Sequence, residues 1–174
     1  MKTNILNLVI LALLCALVTV ATMLISIPVP ATNGYINMGD SIIFLVAIIF
    51  GKKKGAIAGG FGSALADLLL GYSQWIIPTL IVKGLMGYIV GYIANQNDER
   101  VLIPRNILAL AIGALWMAGG YYVAYIVFFG SWQAGLAGLP GDIFQGFAGA
   151  AVFIPIGIAF KKVKFFRRYA INND

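Results

Sequence analysis

The chain has 174 residues, 61% of them hydrophobic and only 10% charged, with a net charge of +6 at neutral pH. Soluble domains are roughly 45–50% apolar and about a quarter charged, so this composition excludes a water-soluble globule and calls for a bilayer as solvent. The basic balance does not point to nucleic acid, because the lysines and arginines stand in short clusters between apolar runs, as they do in cytoplasmic loops of membrane proteins.

In chain order, the first apolar run, Ile5 to Ile27, is too long for a signal-peptide core and has no small-residue cleavage site at its end. It reads as a retained helix over 5–27. Ala12 and Ala16, four apart, make a small ridge on one face of it, a spacing suited to packing within a bundle. Cys15 in the same run has no second cysteine to pair with. Pro28-Val29-Pro30 ends the helix and opens an outer loop that carries Tyr35 and Asn37. A short second helix is expected over 38–51, a third over 54–72, a fourth over 76–95, a fifth over 105–129 and a sixth over 141–161. Ser73 to Pro78 and Gly130 to Pro140 read as further outer loops, the first and last of the three being long enough to cover something, and a basic tail follows Phe160.

A spanning helix needs about 20 apolar residues. If Lys2, the Lys52-Lys53-Lys54 turn, Arg100 with Arg105, and the run from Lys161 to Arg168 all lie inside, each interval between them crosses an even number of times. The expectation is an all-α integral membrane protein, one domain over 1–174, with six transmembrane helices and both termini cytoplasmic. Of the 12 Lys and Arg residues, eleven then fall on the inner side, Lys83 falls within a helix and none falls in an outer loop.

Helix three carries Gly55, Gly59, Ser63, Asp67 and Gly71 at four-residue spacing, and helix four carries Lys83, Gly87 and Gly91. Two such stripes on a helical hairpin are expected to face each other. At about 1.5 Å rise per residue, Asp67 and Lys83 both lie roughly 20 Å from the inner side. Charges at that depth pair or line a cavity, so an Asp67–Lys83 pair is expected, with a purely structural role as the alternative. Asp40 and Asp142 open helices two and six at their outer ends, where capping accounts for an acid. Tyr35, Asn37, Trp75, Trp116, Tyr121, Tyr122, Tyr125, Trp132 and Gln145 gather at the same level. Interface anchoring explains Trp75 and Trp132, whereas Gln145, an amide inside a helix, wants a partner. Aromatic walls with a few polar groups suit a flat heterocycle.

No catalytic or metal-ligating set is expected. Histidine is absent, Gly51-Lys52-Lys53-Lys54-Gly55 lacks the glycine-rich phosphate cradle, and there is no Gly-x-Ser-x-Gly elbow or zinc motif. The chain reads as a binder or conduit with no cofactor and no means of using ATP itself. A membrane scaffold or assembly subunit is the alternative; an intramembrane enzyme fits the residues poorly.

Gly34-Tyr35-Ile36-Asn37-Met38-Gly39-Asp40, an apolar run, and then Gly51-Lys52-Lys53-Lys54-Gly55-Ala56-Ile57-Ala58-Gly59-Gly60 resemble the substrate-binding (S) component of energy-coupling factor (ECF) vitamin transporters. Ser63-Ala64-Leu65-Ala66-Asp67-Leu68-Leu69 and Pro78-Thr79-Leu80-Ile81-Val82-Lys83-Gly84-Leu85-Met86-Gly87 fit the riboflavin-transporter-like branch, which includes hydroxymethylpyrimidine and pyridoxine carriers. The resemblance implies a subunit that captures a vitamin on the outer side, partnered by a transmembrane coupling subunit and two ATP-binding subunits. It implies that Ala12 and Ala16 dock the coupling subunit. It points to Tyr35, Asn37, Lys83, Tyr121, Tyr122 and Gln145 for substrate, of which Asn37 and Lys83 belong to the matched motifs and the others rest on position alone.

Overall fold

The computed structural model describes residues 5–30, 33–96, 98 and 100–162. Lys2 and the basic residues beyond Lys162 lie outside these. Six helices dominate: α1 (Ile5–Leu24), α2 (Gly39–Phe50), α3 (Lys52–Leu70), α4 (Ile76–Ile93), α5 (Pro104–Phe129) and α6 (Trp132–Lys162).

Helix α2 is the centre of the bundle. Every residue from Gly39 to Ile49 is buried. A helix that is apolar all round must be enclosed by others, which is why this one can be short. It packs against α1, α3, α4 and α6. Gly51, at φ 85° and ψ 175°, then reverses the chain directly into α3. That conformation is open essentially to glycine alone.

Helices α3 and α4 form the closest pair, and the two small-residue stripes meet there. A Cβ on Gly87 would stand 2.2 Å from the carbonyl oxygen of Gly55, and one on Gly59 would stand 2.9 Å from that of Lys83. The backbones touch, so Lys83 is drawn inward against α3.

The outer surface is a belt of large apolar side chains, among them Leu6, Val9, Leu13, Phe61, Leu69, Tyr92, Leu115, Val127 and Phe144. Soluble monomers do not expose apolar patches on this scale. The stretches Ile5–Leu24, Ser73–Ile93, Pro104–Phe129 and Trp132–Lys162 are long and apolar enough to cross a bilayer. Helix α3 carries Lys52, Lys53, Lys54 and Asp67, and α2 is shorter than a span. The molecule is an all-α membrane protein with one small addition.

That addition is a β-hairpin in the connection between α1 and α2. Helix α1 ends at Leu24 rather than near residue 27, and β1 (Ser26–Val29) pairs antiparallel with β2 (Gly34–Asn37) in the register Ser26 to Asn37 and Pro28 to Tyr35. Pro28 and Pro30 read as breaks in the sequence, yet a proline is tolerated on the edge of a two-stranded ribbon.

The second departure concerns α6. It starts at Trp132, not residue 141, and runs unbroken through Pro140. Only Gly130, at φ 64°, and Ser131 separate it from α5, with Ser131 N–H bonded to Tyr125 O at 3.2 Å. The long last outer loop does not exist. Membrane helices absorb an internal proline because neighbours and local adjustment re-satisfy the freed carbonyl. Asp142 is therefore three turns inside a helix and caps nothing.

Candidate functional site

Where the hairpin folds over the adjoining ends of α3–α6 lies a partly open cavity of about 120 Å³. The floor is polar and the walls are aromatic. Lys83 comes from α4, Asp67 and Ser63 from α3, Asp142 and Gln145 from α6, and Tyr121 and Tyr125 from α5; Tyr35 and Asn37 come from the hairpin and Trp75 from the 3-10 turn Ser73–Trp75.

Lys83 is 1% exposed and Asp40 is 0% exposed, and the two form a buried ion pair. Lys83 does not pair with Asp67, contrary to the expectation from depth. Equal depth brought Asp67 and Lys83 to one level, but Asp40, on the central helix between their neighbours, holds the inner position. Asp40 makes no side-chain capping bond; its Oδ2 instead accepts from Gln145 Nε2 at 2.7 Å. It still sits in the first turn of α2, where the helix dipole favours an anion. Gln145 Oε1 accepts the backbone N–H of Asn37 at 2.8 Å. One chain of contacts thus runs from α4 through α2 and α6 to β2.

Asp67 has a different partner. Tyr35 donates its hydroxyl to Asp67 Oδ1 at 2.6 Å, while Asp67 Oδ2 is buried with no hydrogen-bond partner. Burial, and after it the charge of Asp67, pushes the Tyr35 phenol well above its ordinary range, so it stays a donor. Tyr121 places its ring 5.5 Å from Lys83 Nζ and its hydroxyl 3.2 Å from Thr79 Oγ1.

Trp75 is 5% exposed, so it is not an interface anchor. Its Nε1 donates to Asn33 O at 2.9 Å, and its ring meets Tyr125 edge-on at 4.8 Å. It both walls the pocket and fastens the hairpin. Trp132 is 54% exposed, as an interface residue is.

Of the sequence candidates, Tyr35, Asn37, Lys83, Tyr121 and Gln145 line the cavity and Tyr122 does not. Tyr122 lies against Gly135 of α6. Of the other lining residues, sequence reasoning missed Thr79, assigned Trp75 to interface anchoring and Asp142 to capping, and placed Tyr125 at the right level without singling it out for substrate. Helical spacing held the signal for some of them: Thr79 and Lys83, Tyr121 and Tyr125, and Gly138 and Asp142 are each four apart and share a face. Ala12 and Ala16 are both exposed on α1.

A partly open pocket of polar and aromatic side chains under a hairpin, inside a lipid-facing bundle, defines a multi-pass membrane protein with a solute-sized site. Residues 2–162 match the family model of the ECF-type riboflavin transporter S component, and the chain belongs to that family. It is 34% identical to the thiamine precursor transporter HmpT of Lactococcus lactis subsp. cremoris over 88% of both chains. It is 41% identical to an uncharacterised protein of Pyrococcus woesei over 83% of this chain and 95% of that one. A UPF0397 protein of Streptococcus agalactiae is 33% identical over 47% of this chain and 44% of its own length. The chain is accordingly a transport subunit of the cell membrane rather than an enzyme.

Proposed function

We propose that this chain is the substrate-capture subunit of an ECF-type ABC importer. Six helices cross the membrane with both termini in the cytoplasm, and the pocket opens to the outside. There it takes a small vitamin or vitamin precursor, pyridoxine or hydroxymethylpyrimidine in preference to riboflavin. The hairpin is the lid. A transmembrane coupling subunit, docked on the Ala12/Ala16 ridge, and two ATP-binding subunits supply the energy, and the chain binds no nucleic acid and needs no cofactor of its own.

The observation that carries this reading is the cavity of about 120 Å³ with Lys83, Asp67 and Asp142 at its floor. Charges are retained in a membrane interior where they meet a partner or a guest. The relative HmpT is by name a thiamine precursor transporter, which favours a one-ring guest over riboflavin.

The test is a titration of the purified chain with hydroxymethylpyrimidine, pyridoxine and riboflavin in the absence of ATP, paired with uptake into vesicles. Binding without ATP, and accumulation only when coupling and ATP-binding subunits are present, are expected. Accumulation by the chain alone, or silence towards every vitamin, would overturn the reading.

A further inference from the structure

A second cavity, of about 500 Å³ and partly open, lies at the other end of the bundle from the hairpin. Its Tyr92 and the Thr79 of the first cavity stand about 20 Å apart along α4. Lys52, Lys53 and Lys54 at the start of α3 and Arg105 at the start of α5 line it, with Tyr92 near the end of α4 and Gln96 just after that helix. No aspartate or glutamate is among its described lining residues.

The backbone fixes this arrangement. A Cβ on Gly91 would stand 2.5 Å from Lys52 Cα, so the end of α4 lies directly on the start of α3. Arg105 gives its Nε–H to Ile93 O, which orients the guanidinium and leaves its Nη fork for an oxyanion. Stability does not account for the cluster. The lysines in the first turn of α3 repel one another and meet the positive end of that helix's dipole, which costs free energy until an anion joins them. The positive-inside tendency explains cations at one end of a membrane protein, but not why four of them surround a cavity.

A separate observation identifies the anion. The exposed side chains of Ile77, Ile81, Leu85, Tyr88 and Tyr92 follow one another at steps of three or four along α4 and form one lipid-facing stripe. The stripe ends at the cavity, where Lys52 Nζ stands 5.0 Å from the centroid of the Tyr92 ring and 5.9 Å from that of Tyr88. An ammonium over a pair of tyrosines, with apolar surface on one side and cations on the other, has the profile of a membrane interface. The stripe runs about 22 Å, longer than the roughly 15 Å of one leaflet's hydrocarbon.

We propose that this cavity binds the phosphate headgroup of an anionic phospholipid whose acyl chains lie along the α4 stripe. Lys53, Lys54 and Arg105 surround the phosphate, and Lys52 bridges it to the tyrosines. Basic pockets between membrane helices hold such headgroups, whereas a free phosphate would leave the stripe unused. The inference needs only the bilayer and is independent of the solute under the hairpin.

The full chain in detergent is titrated with phosphatidylglycerol, with phosphatidylcholine of the same chains, and with glycerol phosphate and inorganic phosphate, and native mass spectrometry follows what is retained. Phosphatidylglycerol is expected to bind about tenfold or more tightly than phosphatidylcholine, with the gap shrinking as salt rises, and the two chainless anions to bind weakly. Lys53→Gln with Arg105→Gln should lose about 10- to 30-fold in phosphatidylglycerol affinity. Arg100→Gln with Lys162→Gln removes the same charge outside the cavity and should change that affinity by less than about threefold. In vesicles of phosphatidylglycerol and phosphatidylcholine, a photoreactive headgroup on the anionic lipid should label segment 51–54 of the unmodified chain, a readout that stands even if a variant fails to fold. Equal affinity for the two lipids, labelling elsewhere only, or equal losses in the two double variants would overturn the proposal. Inorganic phosphate binding as tightly as phosphatidylglycerol would assign the cavity to a free anion. Intact lipid binding by Lys53→Gln with Arg105→Gln, together with lost co-purification with the coupling subunit, would assign it to a protein contact. Either result ends the lipid proposal.

Discussion

Tyr35 of the hairpin and Asp67 of α3 are joined by a hydroxyl-to-carboxylate hydrogen bond of 2.6 Å, which ties the cover of the pocket to its floor. Tyr35 also stacks obliquely on Tyr72 at 4.7 Å, so its ring is held on two sides. Tyr35→Phe keeps the ring and deletes the bond. A hydrogen bond to a charged group contributes about 1.5–3 kcal/mol. Ligand dissociation from Tyr35→Phe is therefore expected to be about tenfold faster or more, with a smaller effect on association. Stopped-flow displacement of bound ligand measures both; unchanged dissociation would mean the hairpin does not gate release.

The same phenol makes a prediction about pH. Its folded value is raised above the ordinary 10.0, by burial first and by Asp67 second. Below that ordinary value both folded and unfolded chains hold the proton, and the bond contributes fully. Above it the unfolded chain ionises while the folded one does not, so stability falls as pH rises. Melting temperature between neutral pH and pH about 11 should fall more steeply for the parent than for Tyr35→Phe. Parallel curves would refute the assignment.

The Lys83–Asp40 pair is buried at both ends. Removing one partner strands the other, at a cost of about 3–5 kcal/mol, whereas replacing both by apolar groups of similar size is often close to neutral. Lys83→Met alone should express poorly or melt well below the parent, and Lys83→Met with Asp40→Leu should regain much of the loss. Thermal melts in detergent decide this. Rescue of Lys83→Met by Asp67→Leu instead would restore the pairing expected from depth alone.

Helix contact at Gly87 leaves no room for a side chain, because the added Cβ would stand 2.2 Å from Gly55 O, backbone that cannot swing away. Gly87→Ala should destabilise by at least about 1–3 kcal/mol. Gly119, also within a helix, has nothing within 4 Å of the same atom, so Gly119→Ala should be neutral or slightly stabilising through helix propensity. Equal melting temperatures for the two variants would contradict the packing.

Ala12 and Ala16 face outward on α1, away from the pocket. Ala16→Trp should leave ligand affinity within about twofold of the parent, since the pocket is untouched, and should abolish co-purification with the coupling subunit. Retained co-purification would move the docking face elsewhere.

Much of this molecule could be read from the chain. Its solvent, its helices and the small stripes of α3 and α4 followed from apolar run length and four-residue spacing, because these are local properties summed along one segment. Depth along a helix axis is local too, which is how Tyr35, Asn37, Lys83, Tyr121 and Gln145 could be named beside a common level. Rotation about the axis is finer. Tyr122 differs from Tyr121 by one residue, about 100° of turn, and that is enough to send it to Gly135 instead of the cavity. What only the tertiary structure decided is partnership. Lys83 had Asp40, Asp67 and Asp142 within one level, and the choice fell on Asp40 because the short central α2 holds its first turn against α4 and α6. The hairpin and the unbroken passage of α6 through Pro140 have the same origin. Proline forbids a local hydrogen bond wherever it stands, but whether neighbours make good that loss depends on helices far away in sequence.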